Sequence, residues 1–195
     1  IEGLAYLSLK VSVKNRIRSN GDICLRLVDA AKSSTKNTSI KFGTLVILAN
    51  LSTSPNDVSQ EQTSMHNLKM YAEMKNPGDE KEQEKEDEAD VVAFNRDYIL
   101  DLEIISSLKV QFKNLSQGSR SQIIRIIYNL TKEVDCISGC IKQGGSAILV
   151  EFLVNSLSTD PFKLLASRSL AKILVNTDPK LIFNKFSHLN AIHFL

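Results

Sequence analysis

Residues 121–177 read SQIIRIIYNLTKEVDCISGCIKQGGSAILVEFLVNSLSTDPFKLLASRSLAKILVNT, and this stretch decides the fold class. Apolar residues recur every three to four positions from Ile123 to Leu130, as on a helix with a wide buried face. Gly144 and Gly145 then break a short amphipathic segment, because glycine ends helices without backbone strain. The stretch predicts one helix followed by a complete unit of three helices.

The closing phrase of this unit occurs four times along the chain. Alignment of the four copies makes Tyr6, Asn50, Asn129 and Lys172 equivalent, at spacings of 44, 79 and 43 residues. Two spacings match the armadillo and HEAT period of roughly 40 to 47 residues, and the middle one equals one repeat plus about 35 inserted residues. We therefore predict an all-α, armadillo-repeat, right-handed superhelical solenoid over residues 1–195. Its third helices are predicted to end near Leu7, Ser52, Thr131 and Val175.

The same periodicity places the other helices. Before the insertion, helices are predicted at residues 1–9, 11–18, 22–32 and 39–52. After it, they are predicted at residues 94–100, 103–115, 120–131, 135–143, 146–157 and 162–175.

The predicted insertion covers residues 53–90. A stripe of apolar residues predicts an extra helix at residues 60–75. Residues 79–90, DEKEQEKEDEAD, carry eight acids and two lysines, a local charge of −6, while the rest of the chain carries +8. A block this acidic and without apolar anchors is typical of a solvated loop. We predict that residues 79–90 form a mobile loop, that nothing in it is buried, and that folding does not need it.

Composition narrows the class of protein. With 195 residues, 43% of them hydrophobic, and a net charge of +2, the chain could build a few stacked repeats. It shows no membrane-length apolar run and no signal peptide, so we expect a cytoplasmic protein without a membrane partner. Because the chain begins inside a helix and stops on an apolar run, we interpret it as a piece of a longer solenoid.

Several kinds of chemistry find little support. Cys24, Cys136 and Cys140 form no disulfide framework, which favours a reducing compartment. Cys136 and Cys140 lie one turn apart and could supply half of a metal site, but we favour buried thiols and expect neither metal nor cofactor. The three histidines lack a nucleophile and carboxylate pattern, so we expect no enzyme. The dispersed positive charge, without interleaved aromatic residues, argues against nucleic-acid binding.

Four Asn-x-Ser/Thr matches begin at Asn37, Asn50, Asn114 and Asn129. Three of them fall at the ends of apolar helices, where a glycan would have no room. We interpret them as chance matches to the glycosylation signal.

A partner-binding face is predicted on the third helices. Asn50 and Asn129 occupy the position from which an armadillo groove can hydrogen-bond the backbone of an extended peptide, although they could instead cap their own helices. Val46 and Arg125 lie one turn earlier on the same face, and Arg168 lies one turn before Lys172. Tyr6 and Lys172 interrupt the series of asparagines. The predicted partner-binding residues are Asn50, Val46, Arg125, Asn129, Arg168 and Lys172.

Several phrases of the sequence occur together in one known family. They are EGLAYL at residues 2–7, GTLVILANL at 43–51, QGGSA at 143–147, the phrase at 166–173, and the insertion after residue 52. In this order they resemble the UCS-domain family of myosin-directed chaperones. The resemblance implies an armadillo solenoid that binds the myosin motor domain and supports its folding and actin-based activity, beside the chaperones Hsp70 and Hsp90. No tetratricopeptide repeat is visible, as in the fungal type of this family, so the resemblance does not imply direct contact with the Hsp90 tail. The alternative function is an armadillo adaptor or transport receptor that binds a short linear peptide in its groove.

Overall fold

The computed structural model describes residues 1–34, 37–54, 86–157 and 159–183, and these form an armadillo-like solenoid of helices. The first repeats comprise α1 (Glu2–Leu7), α2 (Val11–Arg18), α3 (Gly21–Lys32) and α4 (Thr38–Leu51). The next repeat comprises α5 (Glu88–Phe94), α6 (Ile104–Gln111) and α7 (Gln117–Leu130). The following repeat comprises α8 (Val134–Lys142), α9 (Gly145–Asn155) and α10 (Lys163–Asn176), and α11 (Pro179–Phe183) begins a further one.

The last helix of each repeat stacks on the last helix of the next. Contacts join α1 to α4, α4 to α7, and α7 to α10, so these helices form one continuous row. They end at Leu7, Leu51, Leu130 and Asn176, each within one residue of the predicted position. The predicted fold class and repeat arrangement are confirmed.

Helix α4 is buried on nearly every side because it lies between α1, α3 and α7. Leu45, Ile47 and Leu48 are fully buried in the core that runs through the repeats. Lys41 is also buried, and burial lowers its pKa. Its ammonium group donates to carbonyl oxygens at the end of α3, including that of Ser33 at 2.9 Å. A cation in this position compensates the negative end of the α3 dipole.

The repeat after the insertion begins earlier than the sequence predicted. A helix was predicted only from Phe94, with residues 86–90 assigned to the acidic loop, whereas α5 begins at Glu88. Asp87 is its N-cap, and its Oδ1 accepts a hydrogen bond from the backbone N–H of Ala89 at 2.9 Å. Acidic residues are favourable in the first turn of a helix because they face its positive dipole end. The last acids of the run therefore start a helix, and that part of the loop prediction is wrong.

The same segment continues as a π-helix, Asn95–Leu100, in which the Asp101 N–H donates to the Arg96 carbonyl at 2.8 Å. The predicted extra helix at residues 60–75 and the first part of the predicted loop, residues 79–85, lie outside the described residues. Within the described ranges no single helix is long and apolar enough to cross a membrane, although α8 and α9, bent by 78°, pass that test as a pair.

Candidate functional site

Three successive last helices, α1, α4 and α7, line a cavity of about 420 Å³. Apolar and aromatic side chains of α1 and α4 face polar side chains of α7 across it. We call this cavity the α4 groove. The lining residues that matter most are Tyr6, Phe42, Val46, Asn50, Gln122 and Arg125.

Asn50 and Asn129 bond each last helix to the one before it. Asn129 Nδ2 donates to Ser52 Oγ at 2.9 Å and to the Ala49 carbonyl at 3.2 Å. Asn50 Nδ2 donates in the same way to Ser8 Oγ at 2.9 Å. Each serine hydroxyl in turn donates to the carbonyl three residues before it. The amide nitrogens therefore link neighbouring repeats. They neither cap their own helices nor remain free to bind the backbone of a peptide, so both predicted roles of these nitrogens are corrected.

The acceptor side of this chemistry is still available in the α4 groove. Asn50 is only 3% exposed, and its Oδ1 has no hydrogen-bond partner among the described residues. Gln122 Oε1, on the α7 side of the groove, is also buried and unpartnered within that part of the chain. Buried polar atoms are rarely left unpaired, so these two oxygens are the candidate acceptors for an N–H donor that enters the groove.

Arg125 brings a positive charge to the groove. It is half-buried, its Nη2 lies 3.5 Å from Thr53 Oγ1, and burial lowers its pKa. None of the ion pairs found in residues 1–34, 37–54, 86–157 and 159–183 involves Arg125. A half-buried guanidinium without a carboxylate partner is suited to accept one from another molecule.

Glu86 lies beside this arginine, in a buried cluster. Its side chain is 3% exposed and pairs with Lys14 Nζ and, at 2.5 Å, with Arg18 Nη2. Arg18 Nε also donates to the Leu51 carbonyl at the end of α4, at 3.0 Å. Burial lowers the pKa of Lys14, Glu86 opposes that shift, and Arg125 adds to it. Lys14 and Arg18 thus share one carboxylate, with Arg125 near Lys14. The prediction that residues 79–90 contribute nothing buried is wrong at Glu86.

Helix α10 extends the positive charge to the next repeat. Arg168 and Lys172 are both exposed on it, one turn apart as predicted. Lys132, just after α7, packs with its Nζ 4.3 Å from the centre of the Tyr128 ring. Burial lowers the pKa of Lys132 to about 8, and repulsion from Lys172 contributes to the shift. The row of last helices therefore carries cations on α7, after α7 and on α10.

The structure brings some of the predicted partner-binding residues together and separates others. Val46, Asn50 and Arg125 meet in the α4 groove, whereas Asn129 is buried between α4 and α7. Sequence reasoning missed Gln122 and Lys132. Gln122 could have been found from its position one turn before Ile126 on the predicted α7. A polar side chain on a helix that packs on both sides must face either a neighbouring helix or a groove.

The cysteines are buried, as the favoured interpretation predicted. Cys24 and Cys140 are fully buried, and Cys136 is 3% exposed. Burial raises the pKa of Cys136 to about 11 and that of Cys140 to about 12. No cluster of three or more metal-ligating side chains occurs among the described residues.

Comparison with known proteins places the chain among long helical proteins. SWI5-dependent HO expression protein 4 of Saccharomyces cerevisiae is 46% identical over 197 residues, which cover 100% of this chain and 25% of that protein. A solved structure described as the crystal structure of She4p aligns with a TM-score of 0.79 and 39% identity, over 99% of this chain and 24% of the other. No protein-family model matches the sequence.

More distant relatives align over nearly the same region. Protein unc-45 homolog B is 27% identical in Xenopus laevis and 24% identical in Homo sapiens, over 187 residues in each case. Those alignments cover 94% of this chain and 19% of each relative. The chain therefore spans a quarter or less of the relatives it matches.

Proposed function

Because the chain belongs to the UCS-domain family of myosin-directed chaperones, we propose that its row of last helices binds the myosin motor domain and supports motor folding and actin-based activity. The observation that carries this proposal is the α4 groove, which is lined by apolar side chains, by Asn50 and Gln122, and by Arg125. Among the described residues, one oxygen of each amide has no hydrogen-bond partner and Arg125 is in no ion pair. Such a surface suits a partly folded client, which exposes apolar side chains and unsatisfied backbone groups at the same time.

The setting of this activity is also a proposal. We expect the chain to act in the cytoplasm, without catalysing a reaction, and in the company of Hsp70 and Hsp90. The free and buried thiols of Cys24, Cys136 and Cys140 suit a reducing compartment.

The alternative, an adaptor that binds a regular peptide through a series of asparagine amides, has weaker support. The Asn129 and Asn50 amide nitrogens are already donors to the preceding repeat. At the fourth equivalent position stands Lys172, which has no amide.

Protection of the motor domain from heat aggregation tests the proposal. Purified myosin motor domain is warmed with and without the chain, and aggregation is followed by light scattering. We expect wild type to suppress aggregation and Arg125→Glu with Arg168→Glu to lose that protection, while circular dichroism and melting temperature stay near wild type. Raised salt should weaken protection too, because the Debye length falls from ~8 Å at physiological ionic strength to ~3 Å at 1 M.

A matched double reversal controls for net charge. Arg26 and Lys142 are exposed on α3 and α8, and neither lines the groove. Arg26→Glu with Lys142→Glu changes the net charge equally and should protect the motor domain as wild type does. Equal protection by both double variants would place the client site elsewhere on the chain, and absence of protection by wild type would refute the chaperone function of this segment.

A further inference from the structure

We propose that the α4 groove recognises a specific pattern in its client, namely an extended internal segment with one apolar side chain and two acidic side chains spaced about three residues apart. This inference rests on the proposed function, that the last helices bind a client. The apolar side chain lies against Tyr6, Phe42 and Val46 on α1 and α4. The first carboxylate pairs with Arg125 on α7, and the second with Arg168 or Lys172 on α10.

The first step of the argument is charge. Lys14 lies close enough to Arg18 and Arg125 for both to lower its pKa, and Glu86 pairs with Lys14 and Arg18. Both oxygens of Glu86 are occupied by Lys14 and Arg18, so Arg125 is left to face the groove. Glu2, on α1, also lines the groove and forms none of the ion pairs seen in the described ranges. An incoming carboxylate would supply the charge that this cluster lacks.

The second step is the shape of the groove. Tyr6 is 69% exposed and Phe42 is 41% exposed, although both are large aromatic residues. They and Val46 line the cavity together, and the Phe42 ring lies close to Gly118 at the start of α7. A cavity of about 420 Å³ has room for one large apolar side chain and a short length of backbone.

The third step is spacing. Packed helices lie roughly 8–10 Å apart, and an extended chain advances about 3.3 Å per residue. A segment that crosses the row of helices therefore passes from one last helix to the next in about three residues. The expected pattern is an apolar residue, an acid three positions on, and a second acid three positions beyond that, in either chain direction.

The fourth step concerns the backbone of the segment. Asn50 and Gln122 line the same cavity, and their Oδ1 and Oε1 atoms are buried acceptors without partners among the described residues. An extended peptide offers backbone N–H groups that could satisfy them. Beyond Arg125, the row of last helices carries further cations at Arg168 and Lys172. These favour a client segment that passes through the groove over one that ends in the groove with its terminal carboxylate.

Fluorescence anisotropy with synthetic peptides tests this pattern. The probe is a labelled, amidated peptide with one phenylalanine and glutamates three and six residues later, in a glycine and serine background. Replacing the first glutamate with glutamine should weaken binding roughly tenfold to a hundredfold, since charge-assisted hydrogen bonds are the stronger ones. Moving that glutamate to one residue after the phenylalanine should weaken binding similarly. A peptide whose sole carboxylate is its C-terminus should bind no better than the glutamine peptide.

Variants of the chain assign the effect to Arg125. Arg125→Gln should lose the preference for the glutamate peptide, whereas the exposed control Arg26→Gln should keep it. Arg125→Glu should bind a peptide with lysine in the first acidic position better than the glutamate peptide, provided that its melting temperature stays near wild type. If Arg125 only stabilised the fold, Arg125→Glu would not reverse the preference from the glutamate peptide to the lysine peptide.

The failures of the two proposals can be told apart. If the chain protects the motor domain from heat but binds the glutamate and glutamine peptides equally, the pattern is wrong and the chaperone function stands. Stronger binding of the peptide with a free C-terminus would also overturn the pattern, in favour of a terminal carboxylate. Binding of the patterned peptide without any motor protection would instead refute the proposed function.

Discussion

Replacing Glu86 with glutamine should destabilise the chain more than any exposed acid-to-amide change. The carboxylate offers one oxygen to Lys14 and the other to Arg18, and its side chain is 3% exposed. Glutamine has the same shape but only one acceptor oxygen, so its amide nitrogen would face a cation. Breaking a buried ion pair by removing one partner costs about 3–5 kcal/mol, because it leaves charge buried without compensation.

This cost is large on the scale of the whole fold. Domains unfold with free energies of about 5–15 kcal/mol, and 1 kcal/mol shifts the melting temperature of a chain of about 150–250 residues by roughly 2–4 °C. Glu86→Gln should therefore lower the melting temperature by about 6–20 °C. Arg18 also holds the Leu51 carbonyl, so loss of Glu86 should loosen the end of α4 first.

The assay is thermal unfolding followed by circular dichroism at 222 nm, with Asp97→Asn as the control. Asp97 pairs with Arg96 at 2.8 Å, but both side chains are about half exposed or more, at 49% and 63%. Solvent screens an exposed pair, so this variant should melt within about 4 °C of wild type. Lys14→Met added to Glu86→Gln should restore part of the loss, since one buried cation is gone. A Glu86→Gln melting temperature equal to that of Asp97→Asn would refute the reasoning.

The other predictions concern the repeat contacts, the insertion and pH. Asn129→Leu should cost about 1–3 kcal/mol in urea unfolding, because it removes the donor that Ala49 and Ser52 share, whereas Asn155→Leu at an exposed site of α9 should be nearly neutral. Deleting residues 79–85, with Glu86 retained, should leave the melting temperature within about 2 °C of wild type, because loop-closure entropy changes slowly with length. Extending the deletion through Asp90 should lower the melting temperature at least as much as Glu86→Gln does. Burial lowers the pKa of Lys132 from 10.5 to about 8. Between about pH 8 and pH 10.5 the unfolded state therefore binds more protons than the folded state, so the unfolding free energy should rise with pH. Urea unfolding at pH 7.5 and 9.5 should show a smaller rise in Lys132→Met than in wild type, and an equal rise would show that the Lys132 amine is solvated.

Periodicity alone located most helices because each repeat presents wide apolar faces. The ends of the last helices were predicted within one residue, and the Gly144–Gly145 break separates α8 from α9 as expected. The four-copy phrase also located α4 and α7 as neighbours, although the insertion and two helices separate them in sequence. Local caps and apolar spacing are properties of short segments, so a sequence can reveal them directly.

The structural role of the asparagines was not predicted. Asn50-Leu51-Ser52 and Asn129-Leu130-Thr131 were interpreted only as chance glycosylation matches. In the structure, the hydroxyl two residues after Asn50 accepts from Asn129, the asparagine of the next repeat. A recurring amide and hydroxyl pair at the repeat period was thus the signature of a repeat-to-repeat hydrogen bond.

The burial of Glu86 could not be deduced from the sequence. It sits in a run of eight acids, where composition predicts solvation, and its partners Lys14 and Arg18 come from a different repeat. Only the stacking of repeats brings these side chains together. The same holds for Arg125, which comes from a third repeat and lies close enough to lower the pKa of Lys14.

Site-specific photo-crosslinking tests the central claim, that the row of last helices contacts the myosin motor domain. Tyr6 is 69% exposed in the α4 groove, and Val110 is 83% exposed on α6, outside it. The photoreactive residue p-benzoylphenylalanine replaces one or the other, and the motor domain is added before illumination. We predict a crosslinked product from position 6, competed by unlabelled chain, and none above background from position 110. Equal crosslinking at both positions, or crosslinking at position 110 alone, would contradict the claim.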